Sequence, residues 1–108
     1  MANTFKSAAT GSTTAVTTMY TCPAATSAVV HAMYLSNVDC TNDATVTVSV
    51  SGSANFSTRR YLLKTVDVPA DSTVVIEKPI NLGAADKLET QASANGDIDV
   101  FASILEIT

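Results

Sequence analysis

Short apolar-rich runs and small polar breaks follow one another roughly every ten residues along the chain, a rhythm that predicts strands rather than helices. The sharpest stretch has Val46, Val48 and Val50 alternating with Thr45, Thr47 and Ser49. A pleat sends these two sets to opposite faces, one dry and one wet. Just before it, residues 28–38 are apolar on both parities, with Val29, Met33 and Leu35 on one and Ala28, Val30, Ala32 and Tyr34 on the other. That pattern predicts a strand covered on both sides and central in its sheet. Between the two runs, residues 37–43 are dense in Asn and Asp, whose side chains bond nearby backbone and tolerate turn dihedrals, so 28–50 is expected to form a hairpin.

The remaining elements follow by the same reading. Residues 14–22 form a strand that Pro23 ends by withdrawing an amide donor. A turn at 51–55 leads to Phe56 and a strand from Arg59 to Val68, in which Leu62, Val66 and Val68 share a parity broken by Lys64; the irregularity predicts a bulge or an edge position. After the turn at Pro69 to Ser72 come a short strand over 73–77, a stop at Lys78-Pro79, and Ile80 to Leu82 running into Gly83. Residues 87–93 alternate, so one face should be solvated, and Asn95-Gly96 predicts a type I′ hairpin into the last strand, 98–107. The expected fold is all-β, an antiparallel β-sandwich, jelly-roll-like, of about eight strands. Residues 13–108 make a single domain, and residues 1–12 are an N-terminal arm or edge strand. Phe5 is the only aromatic side chain before Tyr20. It belongs either to a frayed or short edge strand or to an arm that docks on a neighbouring subunit.

Composition sharpens this picture. Thr and Ser together supply a quarter of the chain and, with the many valines, favour a pleated surface over a helical turn. A formal charge of −4 with only six Lys and Arg argues against a surface that neutralises phosphates, so no nucleic-acid partner is expected. No run reaches the length of a membrane span, and residues 1–10 lack the basic-then-apolar layout of a signal peptide. No membrane association is expected, and the chain should be made in a cytoplasm. If 14–22 and 27–38 are successive antiparallel strands, Cys22 and Cys40 lie roughly 40 Å apart at about 3.3 Å per residue, far beyond the ~7 Å a disulfide spans. Two separate thiols follow.

Little in the sequence assembles chemistry. His31 has no Ser, Cys or carboxylate at a spacing that predicts a catalytic pair, and its place in the most buried strand predicts a hydrogen-bonded structural histidine. Asp39, Asn42 and Asp43 form an oxygen-rich loop, and Asp97 and Asp99 flank another turn; neither matches a calcium loop, and both read as turn chemistry. With one His and no Cys-x-x-Cys, no metal and no cofactor is expected. Arg59, Arg60 and Lys64 are the one basic group, with Arg60 and Lys64 expected on one face of a solvated or subunit-facing strand. Phe5, Arg59, Arg60 and Lys64 are therefore the candidate interface residues of a chain that is not an enzyme.

The sequence resembles a group of small virion structural proteins of tailed bacteriophages, especially those of cyanobacteria and other aquatic hosts. The resemblance lies in the opening Met1 to Lys6, in Met19 to Ala24, Ala28 to Asp39, Val68 to Ser72 and Lys78 to Leu82, and in the ending Val100 to Ile107. It implies a virion location. A capsid cement or decoration protein on the outer capsid surface is the favoured role, with the major capsid protein as partner and a homo-oligomer, trimer or dimer, as the working form. A tail, neck or head-fibre component is the alternative, followed by a glycan-binding module.

Overall fold

The computed structural model describes residues 3–52 and 59–108; the end of the turn predicted at 51–55, and Phe56, lie outside them. The strands are β1 (Asn3–Ser12), β2 (Thr17–Thr21), β3 (Ser27–Asn37), β4 (Ala44–Ser51), β5 (Arg60–Val68), β6 (Thr73–Ile76), β7 (Ile80–Leu82), β8 (Lys87–Ala92) and β9 (Ile98–Ile107). They form two antiparallel sheets, the first in the order β1-β9-β3-β6 and the second in the order β2-β8-β4-β5. β7 continues the edge begun by β6, since β6 pairs Met33–Ser36 of β3 and β7 pairs Ala28–Val30. Nine strands thus fill eight positions.

Each of the consecutive pairs β1–β2, β2–β3, β3–β4, β5–β6, β7–β8 and β8–β9 is split between the sheets, whereas β4 and β5 pair directly. This wiring makes a jelly-roll-like sandwich. It also overturns two predicted hairpins. β3 and β4 lie in opposite sheets, because Asn37 ends β3 as a buried anchor for the crossing. Its amide nitrogen donates to the carbonyls of Asn42 and Val68, both at 2.9 Å, and its Oδ1 accepts from the Asp39 amide at 2.9 Å. The Asn95-Gly96 turn likewise leads from one sheet to the other, and of its two residues only Gly96 has a positive φ, 80°. Asn95 Oδ1 instead accepts the Thr14 amide at 2.9 Å, tying this corner to the one between β1 and β2.

The core between the sheets is made by one face of each. Ala28, Val30, Met33, Leu35, Ile98, Val100, Ala102 and Ile104 come from the first sheet, and Val46, Val48, Val50, Val68, Leu88 and Ala92 from the second. Each large aliphatic chain buried here contributes about 1.5–3 kcal/mol. The dry face of β4 is as expected, with Val46, Val48 and Val50 inside, whereas Ser49 on the other face is buried rather than wet. β3 is central in its sheet, as expected, but its two apolar parities have another cause than double coverage. A bulge shifts the β3–β9 register between Val30 and Ala32, so inward positions are even before it and odd after it. His31 is the extra residue. It is exposed, not the buried structural histidine expected.

β5 is an edge strand with two register shifts against β4, as its broken parity predicts. At one of them Thr65 adopts φ 53°, and its amide donates to Thr47 Oγ1 at 3.0 Å. The shift puts Leu63 rather than Leu62 against the core, leaving Leu62 exposed. Residues 3–12 pair with β9 along their whole length, from Asn3 opposite Ile107 to Ser12 opposite Ile98. β1 is therefore a long edge strand of the chain's own first sheet. Cys22 is buried, Cys40 is exposed, and both are free thiols.

Candidate interaction surface

The outer face of the first sheet is built of rungs, each set by the register of β1, β9, β3 and the β6/β7 edge. One rung carries Ala9, Phe101, Tyr34 and Val75; the next carries Ser7, Ser103 and Ala32; the third carries Phe5, Leu105, Val29 and Asn81. Phe5 is 76% exposed, Tyr34 44%, Phe101 41% and Val75 39%, a concentration of apolar surface that scattered exposure would not produce. The Tyr34 and Phe101 rings lie 6.2 Å apart in a tilted arrangement, and Phe5 stacks on His31 at 6.5 Å. Beside the first pair, Ala9, Thr10, Ser36 and Asp99 complete a shallow groove of about 460 Å³. In these rungs and the flanking Gly11–Asp99–Ser36 and Asn3–Ile107–Ser27 rungs, Asp99 is the one carboxylate, and there is no lysine or arginine.

The second sheet presents a different outer face. Its rungs hold Thr18, Glu89, Ser49 and Tyr61; Thr21, Lys87 and Ser51; Gln91 and Thr47; and Thr45 with Asp67. Arg59 lies at one end and grips Glu89 through Nε to Oε1 at 3.0 Å and through a second contact to Oε2 at 3.4 Å. Burial pulls the Glu89 carboxyl upward, but hydrogen bonds from Arg59 and Ser51 and the charges of Arg59 and Lys87 outweigh it and hold the carboxyl below its usual range. Lys64 Nζ sits 4.5 Å from the centre of the Tyr61 ring. The bulges in β5 remove the simple parity that put Arg60 and Lys64 on one face.

The four residues singled out in the sequence therefore do not form one site. Phe5 belongs to the apolar face, whereas Arg59 and Lys64 engage groups of the second sheet. Sequence reasoning missed Tyr34, Phe101 and Val75 as surface residues. Tyr34 was hidden by the bulge that makes β3 look covered on both sides. Phe101 had a readable signal, since Val100, Ala102 and Ile104 alternate around it.

Where the two sheets meet near the start of β1, Tyr20 donates to Glu106 Oε2 at 2.5 Å and Lys6 pairs with Glu106 Oε1 at 3.1 Å, joining β1, β2 and β9. The Tyr20 hydrogen bond, assisted by Lys6 and opposed by burial, holds the Glu106 carboxyl below its usual range. Burial first, then the Glu106 hydrogen bond and charge, push the Tyr20 phenol well above the ordinary range. Cys22 is raised by burial and by the nearby Glu106 and Asp86 charges, so it remains a thiol whose Sγ donates to the Thr26 carbonyl at 3.3 Å. Such a group is poorly suited to nucleophilic work. Asp39 spends its carboxylate on the amides of Thr41 and Asn42, and Asp43 accepts from the Ala70 amide, which is turn chemistry. Among the described residues no group of three or more His, Cys, Asp or Glu is placed to hold a metal ion, and no helix is long and apolar enough to cross a membrane.

The fold has counterparts among known structures. A chain of the T13 IBDV viral particle superposes with a TM-score of 0.60 and 7% identity over 96% of this chain. The present chain spans only 30% of that one. A chain of the acidic stable capsid of Helicobacter pylori bacteriophage KHP30 superposes with a TM-score of 0.56 and 13% identity, covering 100% of this chain and 89% of that one. At such identities what is shared is the fold. No family model matches the chain, and no curated protein matches it.

Proposed function

We propose that this chain is a non-enzymatic structural protein of a virus particle, and within that class a bacteriophage cement or decoration protein on the outer surface of the capsid. The observation that carries the reading is the end-to-end likeness to a chain of nearly the same size in the KHP30 capsid. This chain spans 89% of that one, against 30% of the IBDV chain. The sequence resemblance to small phage virion proteins supports the same conclusion. So does a surface that offers an apolar sheet face and loop corners in place of an assembled catalytic group among the described residues.

In this role the protein adds buried area across joints between subunits of the major capsid protein, joints that packaged DNA strains. Symmetric copies, as a dimer or trimer, engage several subunits at once, so avidity compensates for modest single interfaces. The acidic balance of the chain suits the outside of a DNA-filled shell. Quantitative mass spectrometry of purified particles, combined with labelling of intact particles by a membrane-impermeant amine reagent, tests the proposal. Hundreds of labelled copies per particle are expected. A dozen or fewer would move the protein to the tail or neck, and absence from particles would overturn the virion role.

A further inference from the structure

We infer that the outer face of the β1-β9-β3-β6/β7 sheet is the contact through which two copies of this chain pair about a two-fold axis. The face alternates large and small rungs: Phe101, Tyr34 and Val75 stand on one side of Ser7, Ser103 and Ala32, and Phe5, Leu105 and Val29 on the other. A relief of this kind is self-complementary. With a two-fold axis lying across the strands between the Ser103 and Leu105 rungs, each copy sets its Phe5–Leu105–Val29 rung into the small rung of the other. Facing sheets in a sandwich interdigitate in the same way.

Size and charge both fit a second copy. The long strands of the face have ten or eleven residues. At about 3.3 Å per residue and about 4.8 Å between strands, the face covers about 600 Å². With the axis between the Ser103 and Leu105 rungs about seven residues of each long strand overlap, so two copies bury about 900 Å², the scale of a weak, concentration-dependent pair. Pairing like with like demands a surface without net charge at its centre, and the central rungs carry no Asp, Glu, Lys or Arg; His31, exposed at the β3 bulge beside Phe5, is the one titratable side chain there. Asp99 lies toward one end of its strand, so the two-fold operation keeps the two copies of it apart, and Glu77 and Lys78 lie in the link between β6 and β7 at the rim. A polar rim around an uncharged apolar centre is the usual anatomy of such contacts.

Sedimentation velocity of the full chain across micromolar to millimolar concentrations tests the inference, with folding of each variant checked by melting temperature. A monomer–dimer equilibrium is expected. Phe101→Glu, present twice in the pair, should weaken it by about a hundredfold or more, while Tyr61→Glu on the opposite sheet leaves it unchanged. Ser103→Trp adds apolar area but fills the small rung, so it should also weaken pairing. A wild-type chain that stays monomeric at millimolar concentration would overturn the inference, as would a trimer or a dimer indifferent to Phe101→Glu. Tighter pairing of Ser103→Trp would show a merely adhesive face and overturn the interdigitated arrangement.

Discussion

The two sheets share one core yet present opposite outer faces. The first exposes Phe5, Tyr34, Phe101 and Val75 on rungs almost free of charge; the second exposes Tyr61 and Leu62 among threonines and charges, of which Arg59 and Lys64 are already engaged within the chain. The difference teaches where binding free energy is available. Arg59 is held by Glu89 and Lys64 by the Tyr61 ring, so recruiting either to a partner first requires breaking an internal contact. Covering the apolar face breaks nothing and removes hydrophobic area from water. A basic cluster draws the eye in a sequence, but here the neutral face is better suited to binding.

The largest expected effects separate inner from outer positions on each sheet. Leu35→Asp in the first sheet and Val48→Asp in the second should destabilise the domain by about 3–5 kcal/mol or prevent folding, because each leaves a charge unpaired in the core. Their neighbours Tyr34→Asp and Thr47→Asp point outward and should cost far less, the new carboxylate in Thr47→Asp still offering the Thr65 amide an acceptor. Thermal unfolding of the four variants checks this. A lower melting temperature for Tyr34→Asp than for Leu35→Asp would mean that β3 does not switch parity at His31.

Next in size is the loss of β1. The strand contributes ten backbone rungs with β9 and the Lys6 contact to Glu106, yet its only large apolar side chain, Phe5, lies outside the core. Deleting residues 2–10 should therefore lower the melting temperature clearly rather than leave the sandwich intact, and it should expose a new edge at β9. A melting temperature unchanged by the deletion would return these residues to the status of a free arm.

A third test uses pH. The Glu106 carboxyl is held below its ordinary value, so the unfolded chain takes up its proton first as pH falls. The stability it supplies is complete above about pH 4.3, the unfolded carboxyl value, and is lost as pH drops through the folded one. Tyr20 has the opposite sign. Its raised folded value means that its contribution is complete below about pH 10 and is lost at higher pH, when the unfolded phenol ionises first. Glu106→Gln should flatten the acid limb of melting temperature against pH, and Tyr20→Phe the alkaline limb. Parallel curves for parent and variants would separate this cluster from the pH response.

The sequence made the strand rhythm, the dry face of β4, the irregular edge at β5 and the sandwich class legible, because alternation is a local property of a half-buried strand. It did not reveal which strands pair. Turn residues such as Asn37 and Asn95-Gly96 report that the chain reverses, but a return beside the strand and a return across the core need the same dihedral freedom and the same polar side chains. What separated them was the burial of the Asn37 amide and the reach of Asn95 to Thr14, contacts between residues whose nearness only the fold creates. The apolar face was concealed for a related reason. One extra residue at His31 inverts the parity of β3, and a pattern summed over both halves of such a strand looks apolar on both sides.

The smallest expected effect sharpens the contrast from the charged side. Lys64 lies over the Tyr61 ring in solvent, a geometry worth about 0.5–1 kcal/mol at exposed sites. Lys64→Met keeps most of the side chain's length and its contact with the ring while removing the charge, so part of the packing survives. The melting temperature should fall by no more than about 4–8 °C, the shift that 1 kcal/mol produces in a domain near this size. Binding to particles stripped of the protein should be unaffected, because the residue is committed within the chain. A large loss of particle binding with an unchanged melting temperature would show that the basic strand meets the shell, and would reverse the comparison between the two sheets.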